Sequence, residues 1–270
     1  MRKAQKTASI IFAAGRGSRM KGFKGNKTLM PLIPGPSPFE GEYPILLHII
    51  NSLPPGPKAV VVNHMKEEVI ESTSSLGLTY CEQPILNGTG GALLAAREFM
   101  EKQDCDHLLI TMGDVPLVRP STFQALLGVL KDCHMAVLGF RPRYKKEYGI
   151  LEISDTEVKR IIEWKYWSQY PEEVQERLEV CNSGIYAARR PALIPFMDTL
   201  RKSPHRVLKE REHGIMEVEE FFITDLVEFM NMEGLRTGYV IAGDEDELTG
   251  VDDLESLIKV QEKFRQTPAV

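Results

Sequence analysis

An apolar run over residues 8–14 leads into Gly15-Arg16-Gly17-Ser18-Arg19-Met20, a turn whose residue types suit an anion. Glycines let the backbone approach closely, and amides at a following helix start can point at phosphate oxygens. Arg16 and Arg19 add fork-shaped donors matched to phosphate. The Gly15-x-Gly17 spacing has no third glycine three residues on and no Lys-Ser or Lys-Thr pair. It is therefore neither a dinucleotide fingerprint nor a Walker A loop, and by itself it also reads as a tight turn with solvated arginines. Asp114 follows a second apolar run, in Met112-Gly113-Asp114-Val115-Pro116-Leu117. A carboxylate at the C-terminal end of a buried parallel strand stands where open α/β sheets bind ligands, and it can hold Mg²⁺ beside phosphates. The alternative is a turn former or helix cap. Gln83, in Cys81-Glu82-Gln83-Pro84, offers a donor and an acceptor on one amide, which suits a nucleobase edge. Gly88, Thr89 and Gly90 follow, as a close-approach loop with one polar contact or simply as a helix start.

Elements must position these groups. Residues 8–14, 58–63, 78–82, 107–112 and 135–140 read as short buried strands. Helices are expected over 45–53, ended by Pro54-Pro55-Gly56-Pro57, over 67–76, stopped by Gly77, over 90–102, and from Ser121 as N-cap to 130. Residues 31–44 hold five prolines and two glycines and read as a surface loop. This alternation implies right-handed βαβ units and a parallel sheet. Beyond Arg141 the pattern changes to antiparallel strands 149–153 and 159–163 around Asp155, a helix over 171–178 and a strand over 180–187. Helices over 194–200, 222–230 and 253–264 and a late strand over 239–242 complete it. With no repeat or low-complexity linker, one unit is expected over 1–270: a nucleotide-binding half (1–140) and a substrate-shaping half (141–270).

Composition excludes several classes. Hydrophobic residues make up 43% and charged residues 26% of the chain, which rules out disorder as the dominant state. The net charge of −5 and the lack of a long basic run argue against nucleic acid as partner. No apolar stretch approaches a membrane span. Arg2, Lys3 and Lys6 precede an apolar run too short for a secretory signal. Cys81, Cys105, Cys133 and Cys181 fit no CxxC pattern and point to reduced thiols in a cytoplasmic protein. His48, His64, His107, His134, His205 and His213 show no zinc spacing. Residues 202–211 are basic and read as a solvated helix or loop face.

In order along the chain, eight segments resemble sugar-phosphate nucleotidyltransferases, and among these the uridylyltransferase domain of bacterial N-acetylglucosamine-1-phosphate uridylyltransferases. Residues 12–20 resemble LAAGxGTRM; Glu82-Gln83 with Gly88-Thr89-Gly90 resembles the EQ…GTG uracil loop. Residues 113–117 resemble GDVPL, Tyr148-Gly149-Ile150 resembles YGR, and residues 162–165 resemble VEQK. Residues 181–185 resemble INTGI, residues 222–225 YLTD and residues 250–253 GVNN. The resemblance implies a Rossmann-like, three-layer α/β/α (GT-A-like) fold with a mixed, mostly parallel sheet. It implies Mg²⁺-dependent transfer of UMP from UTP to a sugar-1-phosphate, with N-acetylglucosamine-1-phosphate favoured and the same transfer with another sugar-1-phosphate or another nucleotide as the alternative. On that basis Ala13, Ala14, Gly15 and Gly17 would cradle the triphosphate, and Arg16, Arg19 and Lys27 would counter its charge. Gln83, Gly88 and Thr89 would read uracil. Asp114 and Asp252 would hold the metal, and Gly149, Glu163, Asn182 and Thr224 would contact the sugar.

The chain departs from the pattern in places. Asp252 replaces an asparagine, which adds a carboxylate beside Asp114 and strengthens cation binding. Lys27 lacks the preceding proline and lies one residue late, so Lys24 competes for its role. Trp164-Lys165-Tyr166-Trp167 reads either as a sugar-stacking wall or as packing at a strand end. No hexapeptide repeats follow, so no acetyltransferase activity is expected. A reading of another class, a non-catalytic nucleotide-sugar sensor, would be favoured by loss of Asp114, Asp252, Arg16 or Arg19, and all four are present.

Overall fold

β1 (Thr7–Phe12) is buried at every position. A strand with both faces covered carries no polar alternation, which is why it reads as a continuous apolar run. β7 (Met135–Phe140) is likewise buried throughout, and β4 (Lys58–Val62) and β6 (His107–Met112) at all but one end residue, while β5 (Thr79–Glu82) is a more exposed edge. The computed structural model describes residues 6–17, 19–20, 23–145, 147–211 and 214–266. Arg2, Lys3, Ser18 and His213 lie outside the described residues.

With β10 (Cys181–Arg189) and β13 (Thr237–Ile241), these strands form a sheet of order β13-β7-β10-β6-β1-β4-β5. β1 runs parallel to β4 and β6, β4 to β5, and β13 to β7; β10 is antiparallel to both neighbours. The hairpin of β8 (Ile150–Ser154) and β9 (Glu157–Ile162) extends it through β10, and Asp155 takes a left-handed conformation at its turn. Side chains alternate between two cores. Ile11, Val60 and Leu109 face one, with Ile49 and Leu126 from covering helices. Ile10, Val61 and Leu108 face the other, with Met197 and Leu226. The mixed, mostly parallel sheet with helices on both faces is the layering expected from sequence.

Five local expectations are corrected. Residues 31–44 form a hairpin of β2 (Pro31–Pro34) and β3 (Gly41–Pro44), not a surface loop. Leu32 is fully buried, and Gln261 donates to the Pro31 and Pro38 carbonyls, which the proline count hid. The helix expected over 90–102 breaks at Ala96 into Thr89–Ala95 and Arg97–Lys102, because Ala96 leaves helical geometry at φ −87° and ψ 3°. Ser121 is no cap: Pro120 takes the first helical position, so the helix starts earlier, after Arg119. Residues 202–211 are mostly strand: β11 (His205–Arg211) pairs with β12 (Gly214–Glu220) in a separate two-stranded ribbon. Its cross-strand charges, such as Arg206 opposite Glu219, mimic a solvated helix in sequence. Finally, residues 164–167 form a helical turn rather than a strand end.

Candidate active site

The loops after β1, β5 and β6 leave the sheet at the edge where parallel sheets place ligands. β6 ends in Met112-Gly113, and the Gly113 amide donates to the Phe12 carbonyl at 2.9 Å. A Cβ at Gly113 would lie 2.8 Å from that oxygen, so glycine is required for this approach, and Asp114 follows at once. The Asp114 carbonyl accepts from the Val251 amide at 2.9 Å, which brings Asp252 back from the far end of the chain.

Lys27 reaches this place from a one-turn 3₁₀ helix, Lys27–Leu29. Asn26 caps that turn: its Oδ1 accepts from the Thr28 amide at 3.0 Å and its Nδ2 donates to the His64 carbonyl at 2.8 Å. The Lys27 ammonium donates to Asp114 and, at 3.2 Å, to Asp252 Oδ1. Arg19 adds a second cation 3.0 Å from the same Asp252 oxygen. Burial disfavours the charge on Lys27, yet the carboxylates of Asp114 and Asp252 outweigh it and raise its pKa above the ordinary lysine value. Lys24 is exposed, so Lys27 is the lysine at this centre.

These groups open on a cavity of about 470 Å³. Of the residues singled out from sequence, Ala13, Ala14, Gly15, Arg19, Lys27, Gln83, Gly88, Thr89, Asp114 and Asp252 line it. Arg16 and Gly17 flank it in the same turn, Arg16 exposed and Gly17 at φ +61° against the Lys27 side chain. Six residues beyond Arg141, namely Tyr148, Ser183, Glu220, Leu248, Gly250 and Asp252, enter the same cavity, so both parts of the chain meet there.

Gln83 is 4% exposed at the end of β5. Its Nε2 donates to Asn87 Oδ1 and to the Gly88 carbonyl, both at 3.1 Å. A carbonyl can only accept, so the amide nitrogen must face Gly88 and Oε1 is the atom left for the cavity. The glycines nearby do something other than expected. A Cβ at Gly88, where φ is +92°, would lie 2.5 Å from the Phe221 carbonyl oxygen, and one at Gly90 would lie 2.7 Å from the Phe221 carbonyl carbon. They admit a neighbouring main chain, joined by Phe221 N to Asn87 O at 2.8 Å and Gly90 N to Phe221 O at 2.7 Å.

Gly149, Glu163, Asn182 and Thr224 do not line this cavity; they form a second cluster next to it. Thr224 Oγ1 donates to Glu163 Oε1 at 2.9 Å. The Asn182 amide donates to the Gly149 carbonyl at 2.8 Å, and Asn182 Nδ2 donates to the Tyr186 hydroxyl at 2.8 Å. A Cβ on Gly149 would lie 3.6 Å from Glu163 Oε2. Tyr148 and Ser183, each one residue from a member of the cluster, line the cavity and connect the two places. Burial pushes the Glu163 carboxyl up from its ordinary value, against the Thr224 hydrogen bond. Trp167 packs inside with its indole donating to the Tyr148 carbonyl at 2.8 Å, while Trp164 and Tyr166 are exposed. Sequence reasoning missed Glu220, a buried acid in the cavity wall; its signal is a Glu219-Glu220 pair directly before two phenylalanines.

Asp114 and Asp252 fit a hard divalent cation. One ammonium already reaches both carboxylates, so a single cation can, and Mg²⁺ typically takes one or two carboxylates with the remainder from water and phosphate. Among the described residues no cluster of three or more His, Cys, Asp or Glu side chains offers an all-protein metal site. All four cysteines are free thiols, and among the described residues no helix is long and apolar enough to cross a membrane.

The model of the MobA-like NTP transferase domain matches residues 9–209. The bifunctional protein GlmU of Novosphingobium aromaticivorans is 28% identical over 265 residues, covering 96% of this chain and 53% of that protein. The chain thus spans about half the length of the curated relatives it matches. The uridine diphosphate N-acetylglucosamine pyrophosphorylase of Trypanosoma brucei superposes with a TM-score of 0.70 at 13% identity, over 95% of this chain and 65% of that one. A nucleotidyl transferase from Methanothermobacter thermautotroptrophicus gives 0.60 at 18% identity, over 97% and 98%. These structures share the fold, which is the nucleotidyltransferase fold expected from the motifs.

Proposed function

The chain belongs to the MobA-like NTP transferase domain family, and from that premise we propose that it transfers UMP from UTP to a sugar-1-phosphate, with N-acetylglucosamine-1-phosphate the favoured acceptor. The observation that carries the reading is the convergence of Lys27, Asp114 and Asp252 with Gln83 in one cavity. With its Nε2 held by Asn87 and Gly88, Gln83 offers its Oε1 as the acceptor in this reading. Aimed at the N3 edge of a pyrimidine, it accepts from the N3–H of uracil and meets a lone pair on cytosine.

In this reading an acceptor phosphate oxygen forms a bond to the α-phosphorus of UTP as the bond to the β-phosphate bridge breaks, and pyrophosphate leaves. Attacking group and target are both anionic, so placement and charge neutralisation are the enzyme's main work. Lys27 and Arg19 supply fixed positive charge, and the turn at Gly15 admits the triphosphate to backbone amides. Asp114 and Asp252 would hold Mg²⁺, which when bound neutralises phosphate oxygens. The attacking phosphate is already ionised at neutral pH, so no general base is required. Glu163, Thr224, Asn182 and Gly149 would contact the sugar, where carboxylate, hydroxyl and amide groups match hydroxyl and acetamido groups. The relatives named for GlmU and for a pyrophosphorylase of uridine diphosphate N-acetylglucosamine support the choice of acceptor.

The test is pyrophosphate release by purified protein with Mg²⁺, across UTP, CTP, ATP and GTP and a panel of sugar-1-phosphates. Release confined to UTP with N-acetylglucosamine-1-phosphate is expected. Turnover with a different sugar would keep the mechanism and replace the acceptor. Binding of UTP without turnover of any pair would favour a sensor.

A further inference from the structure

His205 opens the β11–β12 ribbon, outside every motif that the functional reading uses, yet it reaches the second cluster. Its Nε2 lies 2.8 Å from Asp225 Oδ2, and its ring packs on Phe222 with centroids 4.7 Å apart. Asp225 is the first residue of the helix Asp225–Met232, and Thr224 precedes it. Thr224 in turn donates to Glu163. Lys165, on the helical turn after Glu163, lies over the other rings of this wall, 5.5 Å from the centroid of Phe222 and 4.8 Å from that of Tyr166. A continuous path thus runs from the ribbon to the buried carboxylate: His205, Asp225, Thr224, Glu163.

We infer that His205 is a positioning residue for the acceptor: by holding Asp225 and backing Phe222 it fixes the helix start that keeps Thr224 on Glu163. This rests on the reading of Glu163 and Thr224 as acceptor contacts. The charge balance agrees. Glu163 is buried near a second acid, Asp225, and the groups facing the pair are the Lys165 ammonium and the His205 ring. Glu228 on the same helix adds a further negative charge near Asp225. Without His205, Asp225 loses this hydrogen-bond partner and Phe222 its ring contact, and the Thr224–Glu163 contact loses its anchor. A two-stranded hairpin by itself is marginal in water, so it relies on contacts at its ends. His205 therefore ties a segment of low intrinsic stability to the acceptor side.

The experiment compares His205→Ala, His205→Gln and Leu208→Ala, the last an exposed ribbon position 74% accessible and outside the site. Steady-state kinetics are read with UTP and N-acetylglucosamine-1-phosphate varied in turn. His205→Ala should raise the acceptor KM about tenfold, the worth of one charge-assisted hydrogen bond, and leave the UTP KM within about twofold. Gln places an amide nitrogen where Nε2 stands, so His205→Gln should recover most of the loss, and Leu208→Ala should match wild type. Equal rises in both KM values, or none, would overturn the inference. A second readout needs no acceptor. Trp164 and Trp167, the chain's two tryptophans, follow Glu163 within four residues, so their emission in the free protein reports this cluster. His205→Ala should shift it to the red and His205→Gln should not; unchanged emission in both would sever the link. If wild type turns over no sugar-1-phosphate, the functional reading falls and the emission alone decides the role of His205.

Discussion

The two parts of the site solve different electrostatic problems. Around Asp114 and Asp252 two carboxylates meet two cations, Lys27 and Arg19, and the carboxylates raise the lysine's pKa. Around Glu163 a single buried carboxyl is held by a neutral hydroxyl, and burial pushes its pKa up. The first arrangement suits a ligand that brings several negative charges and a metal. The second suits one that brings hydroxyl or amide donors to a buried acceptor whose hydrogen-bond partner is a neutral hydroxyl. Backbone construction differs as well. The charged centre is assembled from the end of β6, a 3₁₀ turn and a loop near the far end of the chain, whereas the second cluster is bridged by a segment, residues 220–225, that also locks the loop around Gly88.

The contrast is sharpest at Asp114. If the paired centre is the phosphate and metal site, Asp114→Ala should lower kcat at least about a thousandfold, roughly 4 kcal/mol, in line with removing one electrostatic stabiliser of the reacting phosphates. Pyrophosphate release at saturating Mg²⁺ measures it, and a folded variant within tenfold of wild type would remove the centre from the chemistry. The next effect is on folding. Gly88→Ala places a Cβ in backbone at positive φ and should destabilise by about 3 kcal/mol, whereas Gly15→Ala meets nothing within 4 Å and should cost under about 1 kcal/mol. Denaturant midpoints of the two variants separate a glycine kept for packing from one kept open toward ligand.

The smallest effect tests the second cluster through pH. The folded protein holds the Glu163 proton more tightly than the unfolded chain, so the folded state binds more protons. Its contribution to stability is therefore complete below the ordinary carboxylate pKa and is lost as pH rises through the raised folded value. Glu163→Gln has no proton to lose. Between pH 4 and 7 the Tm of wild type should fall relative to that of the variant. The same variant should raise the acceptor KM and spare that of UTP. Parallel Tm curves would show that the two clusters do not differ in the way described.

Much of this was legible before any coordinates. β1, β4, β6 and β7 announce themselves as apolar runs because both faces are covered, and the groups of the charged centre lie in short segments with recognisable spacing. Other features were hidden for identifiable reasons. The β2–β3 hairpin looked like loop because proline content says nothing of what Gln261 will clamp 230 residues later. The ribbon looked like a charged helix because cross-strand pairs and helical faces use the same residues.

Residue type and order along the chain were enough to decide the layered fold and to single out Asp114 and Gln83, which follow strand ends, while Asp252 and a lysine at 24 or 27 were singled out by the motif resemblance. Tertiary structure alone decided between Lys24 and Lys27, turned the Gln83 amide so that its oxygen meets the cavity, and assigned the glycines at 88 and 90 to the Phe221 main chain. It also tied His205 to Glu163 through Asp225 and Thr224. Each of these depends on which distant backbone a side chain meets, and a contact between residues far apart in sequence has no periodicity or spacing from which it could be read.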